Sequence, residues 1–153
     1  MPDALSIAYA LVNRRERTVT EVRARLERAG CAEAEIAAAI LELETIGFLD
    51  DARYARLFVE DRRNLDGWGN ARIERALRER GVHESAVGTA LAGAGEESES
   101  ARALGLLARR PQPDPDDLRA RERAFTMLLR KGYESELAGR VVRAWMRGEG
   151  PDG

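Results

Sequence analysis

Cysteine, histidine and lysine are almost missing from this 153-residue chain, and each scarcity closes off a kind of chemistry. Cys31 is the only cysteine and His83 the only histidine, so neither an internal disulfide nor a Cys/His zinc site has its raw material. A Ser-His-Asp triad would have to use His83, which falls in Gly81-Val82-His83-Glu84-Ser85 between two expected helices. Triads are defined by geometry, and nothing in the spacing supports one. Neither GxxxxGK[ST] nor GxGxxG occurs, so the standard phosphate cradles are missing. No apolar run approaches the ~20 residues that span a bilayer, and the first 20 residues lack the basic-then-apolar layout of a secretory signal. The expectation is a cytoplasmic protein, not membrane-bound, that binds a partner rather than catalyses, with no cofactor and no metal. An enzyme built on paired carboxylates has no spacing in its favour.

What is present is a balanced, foldable composition. Hydrophobic residues make up 44% and charged residues 34%, with a net charge of -2, which suits a packed domain or a short repeat array. The basic residues are 24 arginines against one lysine, Lys131. Codon usage in a GC-rich genome explains such a bias. Whatever its origin, it leaves planar five-donor forks suited to phosphates and carboxylates.

The chain repeats itself. Gly30, Gly81 and Gly132 are each 51 residues apart, and each follows a leucine by four positions: Leu26, Leu77 and Leu128. Ahead of them the pattern Ala-x-x-[Leu/Phe]-[Val/Leu]-x-x-Arg occurs three times, from Ala8 to Arg15, Ala55 to Arg62 and Ala103 to Arg110, at offsets of 47 and 48. Internal periods of this length point to stacked repeats. Apolar spacing makes each unit three helices. In the first unit, Thr20 is the expected N-cap of the second helix and Gly30 its stop, followed by a helix over 33–46. The second unit reads as helices over 51–65, 70–80 and 84–91, and the third as 98–110, 117–131 and 134–147. Pro111, Pro113 and Pro115 interrupt the third unit. No stretch alternates with period two. The fold expected is all-α, three tandem three-helix repeats in an elongated, curved array, with repeats at 1–48, 49–94 and 95–148 and a disordered tail at 149–153.

Several residues stand out as binding candidates. Arg119, Arg123 and Arg130 share one helical stripe beside Lys131, and Arg140, Arg143 and Arg147 share another, away from Val141, Val142 and Trp145. Such stripes suit DNA phosphates or acidic protein surfaces; the plain alternative is a solvated helix face. Trp68, between Gly67 and Gly69, either packs back on Arg72 or Ile73 or stands out as an anchor for a partner. Tyr54 and Phe58 read as core, and Asp50 and Asp51 as caps of the helix that opens the second unit. Glu21–Arg25, Arg23–Glu27, Glu74–Arg78 and Arg75–Glu79 look like ordinary surface pairs.

The second unit carries Leu49-Asp50-Asp51-Ala52-Arg53-Tyr54-Ala55-Arg56-Leu57-Phe58, continuing through Arg62 and Arg63 to Gly67-Trp68-Gly69 and then Leu77-Arg78-Glu79-Arg80-Gly81-Val82. This order of motifs resembles the RecX family, bacterial modulators of the recombinase RecA. The likeness is strong from about Thr18 to Leu91 and weaker in the third unit, where the proline-rich connection departs from the pattern. It implies tandem three-helix repeats without enzymatic activity. It also implies binding to RecA filaments on single-stranded DNA, with suppression of RecA ATP hydrolysis and strand exchange. Arg62, Arg63, Trp68 and Arg72 join the two arginine stripes as candidate contacts, with a weak direct contact to DNA and a monomeric state expected. The rival reading is a helix-turn-helix transcriptional regulator. Against it, the helix over 84–91 holds no Arg or Lys, and the one over 33–46 is acidic.

Overall fold

A computed structural model describes residues 3–92 and 95–151, the side chains of 95–98 excepted. All its regular structure is helical. The order is α1 Ala4–Arg14, α2 Val19–Arg28, α3 Glu33–Thr45, α4 Asp51–Asp61, α5 Asn70–Glu79, α6 Glu84–Ala92, α7 Gly95–Ala108, α8 Leu118–Lys131 and α9 Ser135–Met146. A π-helical turn, Arg62–Asp66, prolongs α4 and ends at Gly67 in the left-handed conformation. The repeat signature is structural throughout: Leu26, Leu77 and Leu128 are completely buried, as are Ala8, Ala55 and Ala103. The expected repeat boundary at 94/95 and the far end of the tail, residues 152 and 153, touch or lie outside the described residues. Glu149 is tied back, its N–H donating to Ala144 O and its carboxylate pairing with Arg147.

Two compact units can be described separately. One takes the chain up to Phe58 together with Ala76–Ala90; the other takes Val59–Arg75 and the chain from Leu91. The division runs through α4 and α5, so neither unit coincides with a single repeat. In the first unit, Ala8, Val22, Leu26, Ile36, Ile40 and Leu43 form the core of α1–α3. In the second, Leu107, Leu128, Tyr133, Val141, Val142 and Trp145 form that of α7–α9.

Two caps differ from expectation. Thr18, not Thr20, caps α2. Its hydroxyl accepts from Glu21 N–H at 3.1 Å while the Glu21 carboxylate accepts from Thr18 N–H at 3.0 Å, a reciprocal capping box. Thr20 is the second residue of the helix, and its hydroxyl donates to Gly81 O at 3.3 Å. Asp50 caps α4 through Arg53 N–H, 3.0 Å, but Asp51 reaches across to accept Val19 N–H at 2.9 Å. Two of the expected surface pairs also give way to other partners. Arg23 grips both oxygens of Glu33, 2.8 and 3.0 Å, and Glu21 pairs with Arg15.

Residues 51 apart make equivalent bonds. Thr18 Oγ1 donates to Arg80 O at 2.8 Å, and Gly69 N–H donates to Lys131 O at 2.8 Å. Thr20 Oγ1 reaches Gly81 O, and Ala71 N–H reaches Gly132 O at 3.1 Å. A third pair obeys the first-helix offset. Val19 N–H meets the Asp51 carboxylate, and Asn70 N–H meets that of Glu99 at 2.7 Å. Each joint therefore docks the start of one repeat's second helix on the end of the next repeat's second helix. The receiving glycine permits it twice over. Gly81 and Gly132 have φ of +81° and +101°, and a Cβ would fall 2.1 Å from Thr20 Oγ1 or 2.2 Å from Arg72 Cβ.

Candidate functional site

Two groups of the candidate residues are brought together, and they behave oppositely. The first surrounds the π-helical turn. Gly67, with φ +66°, turns the chain so that Trp68 N–H donates to Arg62 O at 3.1 Å. The half-buried indole then lies under two guanidiniums, with Arg72 4.0 Å and Arg62 5.8 Å from its ring centroid. Both arginines are committed elsewhere too, Arg62 to Asp66 at 2.6 Å and Arg72 to Arg130 O at 3.1 Å. Lys131 Nζ donates to Asp66 O at 2.8 Å, and Tyr133 OH to Gly67 O at 3.0 Å. Burial of Tyr133 pushes its phenol up to about 12. Arg63 points inward to Asn70 Oδ1 at 2.8 Å, with its pKa lowered by burial and by Arg102 nearby. Of the two readings of Trp68, packing on Arg72 is the one the structure adopts. Trp68, Arg62, Arg63, Arg72 and Lys131 form a latch that closes this joint.

The second group is open. Arg119, Arg123 and Arg130 line a groove of about 560 Å³ with Arg110, Thr126 and Met127. Glu122 is its only acidic wall residue, and none of the four guanidiniums has a carboxylate partner among the described residues. Six arginines outside the groove, Arg15, Arg23, Arg53, Arg62, Arg78 and Arg147, each hold a carboxylate. Four guanidiniums without a carboxylate partner give this groove a basic wall, with planar donor forks of the kind that match anionic groups. Arg110 was not among the candidates. The signal for it was present, because it ends the third copy of the Ala-x-x-[Leu/Phe]-[Val/Leu]-x-x-Arg pattern. It occupies the place that Arg62 holds in the second repeat, as Arg123 occupies that of Arg72.

Comparisons with known proteins match two family models to this chain. A model of the RecX first three-helix domain matches residues 4–43, and a model of the RecX second three-helix domain matches residues 50–91. The regulatory protein RecX of Mycobacterium ulcerans (strain Agy99) is 33% identical over 95% of this chain and 86% of its own. The chain belongs to the RecX family. The regulatory protein RecX of Thermobifida fusca (strain YX) is likewise 33% identical, over 96% of this chain and 80% of its own. Among solved structures, RecX from Lactobacillus salivarius superposes with a TM-score of 0.78 over 93% of this chain and 94% of that one, at 17% identity. The fold is thus that of RecX, an all-α helical repeat array in a family of regulatory proteins rather than a known enzyme family.

In this RecX chain the three arginines of the second stripe are exposed and have different neighbours. Arg140 lines a groove with Glu74, Glu99, Glu134 and Glu136, Arg143 borders an apolar groove, and Arg147 pairs with Glu149 at 3.0 Å. A helix-turn-helix reading would need α9 to present a common basic face, and its arginines are divided among three surroundings. His83 is exposed, and its Nδ1 accepts Ser85 N–H at 3.1 Å as the first turn of α6 begins. Among the described residues no group of three or more His, Cys, Asp or Glu side chains is arranged to hold a metal ion. Among the same residues no helix is long and apolar enough to cross a membrane.

Proposed function

We propose that this protein binds RecA filaments on single-stranded DNA and restrains RecA's ATPase, recombinase and coprotease activities, acting in the cytoplasm without chemistry of its own. Membership of the RecX family carries the reading, and the role in DNA repair follows from it. The three-repeat division at 1–48, 49–94 and 95–148 supplies the form: stacked units offer a filament several contacts at once, each raising the effective concentration of the next. The groove of Arg110, Arg119, Arg123 and Arg130 is the surface we assign to the filament's phosphates or acidic side chains, with weak direct contact to DNA. A sequence pI near 5.6 argues against strong binding to free DNA.

The test is RecA ATPase on single-stranded DNA titrated with this protein. Inhibition is expected near stoichiometric amounts. Reversing Arg119, Arg123 and Arg130 to Glu weakens it at least tenfold while helical circular dichroism is unchanged. Absence of inhibition by the native protein overturns the function; full inhibition by the triple variant removes only the groove from it. Retention of one duplex sequence with no effect on RecA would support transcriptional control instead.

A further inference from the structure

The joint between the second and third repeats encloses a groove of about 340 Å³. The second repeat contributes Asn70, Ala71, Glu74 and Leu91, and the third contributes Glu99, Leu137 and Arg140 among others. Moving the first four on by 51 residues gives Arg121, Glu122, Phe125 and Val142. All four line a separate groove of about 380 Å³ on the third repeat, bordered by Leu118 and Arg143. It is the docking face of a repeat, with no further repeat stacked on it among the described residues. Leu118 at its rim is 71% exposed.

The other half of the joint recurs as well. Glu99, Leu137 and Arg140 correspond to Ala4, Glu35 and Ala38 of the first repeat, through the combined offsets of 95 and 102. These three line a groove of about 420 Å³ with Asp3, Leu5 and Glu42. Gly30, counterpart of the receiving Gly81 and Gly132, would meet nothing within 4 Å with a Cβ added. Each outer face thus keeps the position of a joint half while its partner half is at the other terminal repeat.

The chemistry of the two faces has changed in concert. Glu74 and Arg140 share the internal groove; their counterparts on the outer faces are Phe125 and Ala38, so a charged couple becomes an aromatic and a methyl. Asn70 stands opposite Glu99 at 2.7 Å; the counterparts are Arg121 and Ala4, the latter preceded by Asp3. Arg121 and Arg143 against Glu122 leave one face net basic, and Asp3, Glu35 and Glu42 make the other acidic.

We propose that these faces are the two halves of a head-to-tail contact between copies of this chain, the third-repeat face of one copy receiving the first-repeat face of the next. The contact is heterologous, so copies add head to tail into a ring or an open chain. It is also weaker than the internal joints. Gly69 and Asn70 donate backbone N–H groups to the neighbouring repeat, whereas Ala120 and Arg121 give theirs to Asp117 within the longer first turn of α8. The protein is therefore monomeric when dilute, as its sequence leads one to expect, and assembles as its concentration rises. This stands independently of the RecA reading.

Light scattering over a dilution series up to about 1 mM tests it, a range that covers contacts of this modest strength. The mass of the native chain is expected to rise above 16.9 kDa and to fall back with added salt. Two charge-reversed variants sharpen the test: Arg121→Glu with Arg143→Glu, and Glu35→Arg with Glu42→Arg. All four residues are exposed, so folding is retained. Each variant alone stays at the single-chain mass, and mixing the two restores association because both faces again meet an opposite charge. A native chain that keeps its single-chain mass throughout overturns the proposal. So does either variant associating like the native chain, or a mixture that fails to associate.

Discussion

The joint of the first two repeats and the joint of the last two make the same bonds with different atoms. At the first, the hydroxyls of Thr18 and Thr20 donate to Arg80 O and Gly81 O; at the second, the backbone amides of Gly69 and Ala71 donate to Lys131 O and Gly132 O. A hydroxyl extends the donor away from its helix, so at the threonine joint side-chain atoms face the receiving glycine, Thr20 Oγ1 and Cβ foremost. The glycine–alanine joint brings backbone against backbone, and it adds the latch of Trp68, Lys131 and Tyr133. What the repeats share is the position of a donor opposite a helix-ending carbonyl. Residue identity at that position is free to vary, and the tolerance of each joint varies with it.

The largest expected effect separates the three repeat glycines. A Cβ at Gly132 would lie 2.2 Å from Arg72 Cβ and 2.8 Å from its backbone N, so Gly132→Ala has little to push aside. Left-handed strain of ~1–2 kcal/mol adds to overpacking of ~1–3 kcal/mol, for a loss in the upper part of ~2–5 kcal/mol. Gly81→Ala meets Thr20 Oγ1 at 2.1 Å, which can rotate away, but also Thr20 Cβ at 2.4 Å, which cannot, and should lose ~2–4 kcal/mol. Gly30→Ala meets nothing and should lose only the ~1 kcal/mol of its φ of +84°. Urea denaturation measures all three. Equal losses would mean that the glycines serve only as helix ends and that the joints contribute nothing; should Gly132→Ala not fold, the other two still decide the matter.

Next in size is Thr18→Ala, which removes both a cap and a joint donor from a fully buried position. A loss of ~1–2 kcal/mol is expected, with Thr18→Ser keeping most of it. A loss of only a few tenths would show that the capping box closes through Glu21 alone and that Arg80 O finds another donor.

A smaller effect probes the latch of the second joint. Tyr133→Phe removes the bond to Gly67 O and should lose ~1 kcal/mol. The phenol offers a second reading by titration. Its pKa is about 12 when folded, above the ordinary 10, so the stabilisation it gives is complete below pH 10 and is lost between there and about 12. Absorbance titration should find one of the three tyrosines ionising well after the others, or only as the chain unfolds. Three tyrosines titrating together near pH 10 would show that the latch is open to water.

Much of this was legible because burial imposes periodicity. Leu26, Leu77 and Leu128 recur at an interval that three helices dictate, and the alanines at 8, 55 and 103 recur because only a small side chain fits where they pack. Helix ends followed from glycine and aspartate, as at Gly132 and Asp117. The misses come from choices that a local pattern does not settle. Thr18 and Thr20 are equally good caps as residues, and only Glu21 three positions on selects Thr18. The π-helical turn at 62–66 has no sequence signal of its own; it is held by Lys131 and Tyr133 from 65 residues or more away. Arg119, Arg123 and Arg130 line one groove because the connection that follows α7 sets another arginine, Arg110, beside them. Arg140, Arg143 and Arg147 each meet different neighbours.

The smallest effect concerns Asp51, the acceptor at the first joint whose counterpart at the second is Glu99. Burial, reinforced by Asp50 and Glu21, raises its carboxyl above the ordinary range, although the bond from Val19 N–H opposes the shift. A raised folded-state pKa means that the folded chain holds this proton more tightly than the unfolded one. The carboxylate therefore opposes folding at neutral pH, and that opposition is relieved as pH falls through the raised value. Asp51→Asn keeps an oxygen for Val19 N–H and removes the charge. It should leave stability at pH 7 equal to or slightly above that of the native chain and flatten the pH dependence just above the ordinary carboxylate range. Asp51→Ala removes the acceptor and should lose ~1 kcal/mol at any pH. If Asp51→Asn is as damaging as Asp51→Ala, the joint requires the negative charge itself, and the pairing of Asp51 with the start of α2 is a charge interaction rather than a hydrogen bond.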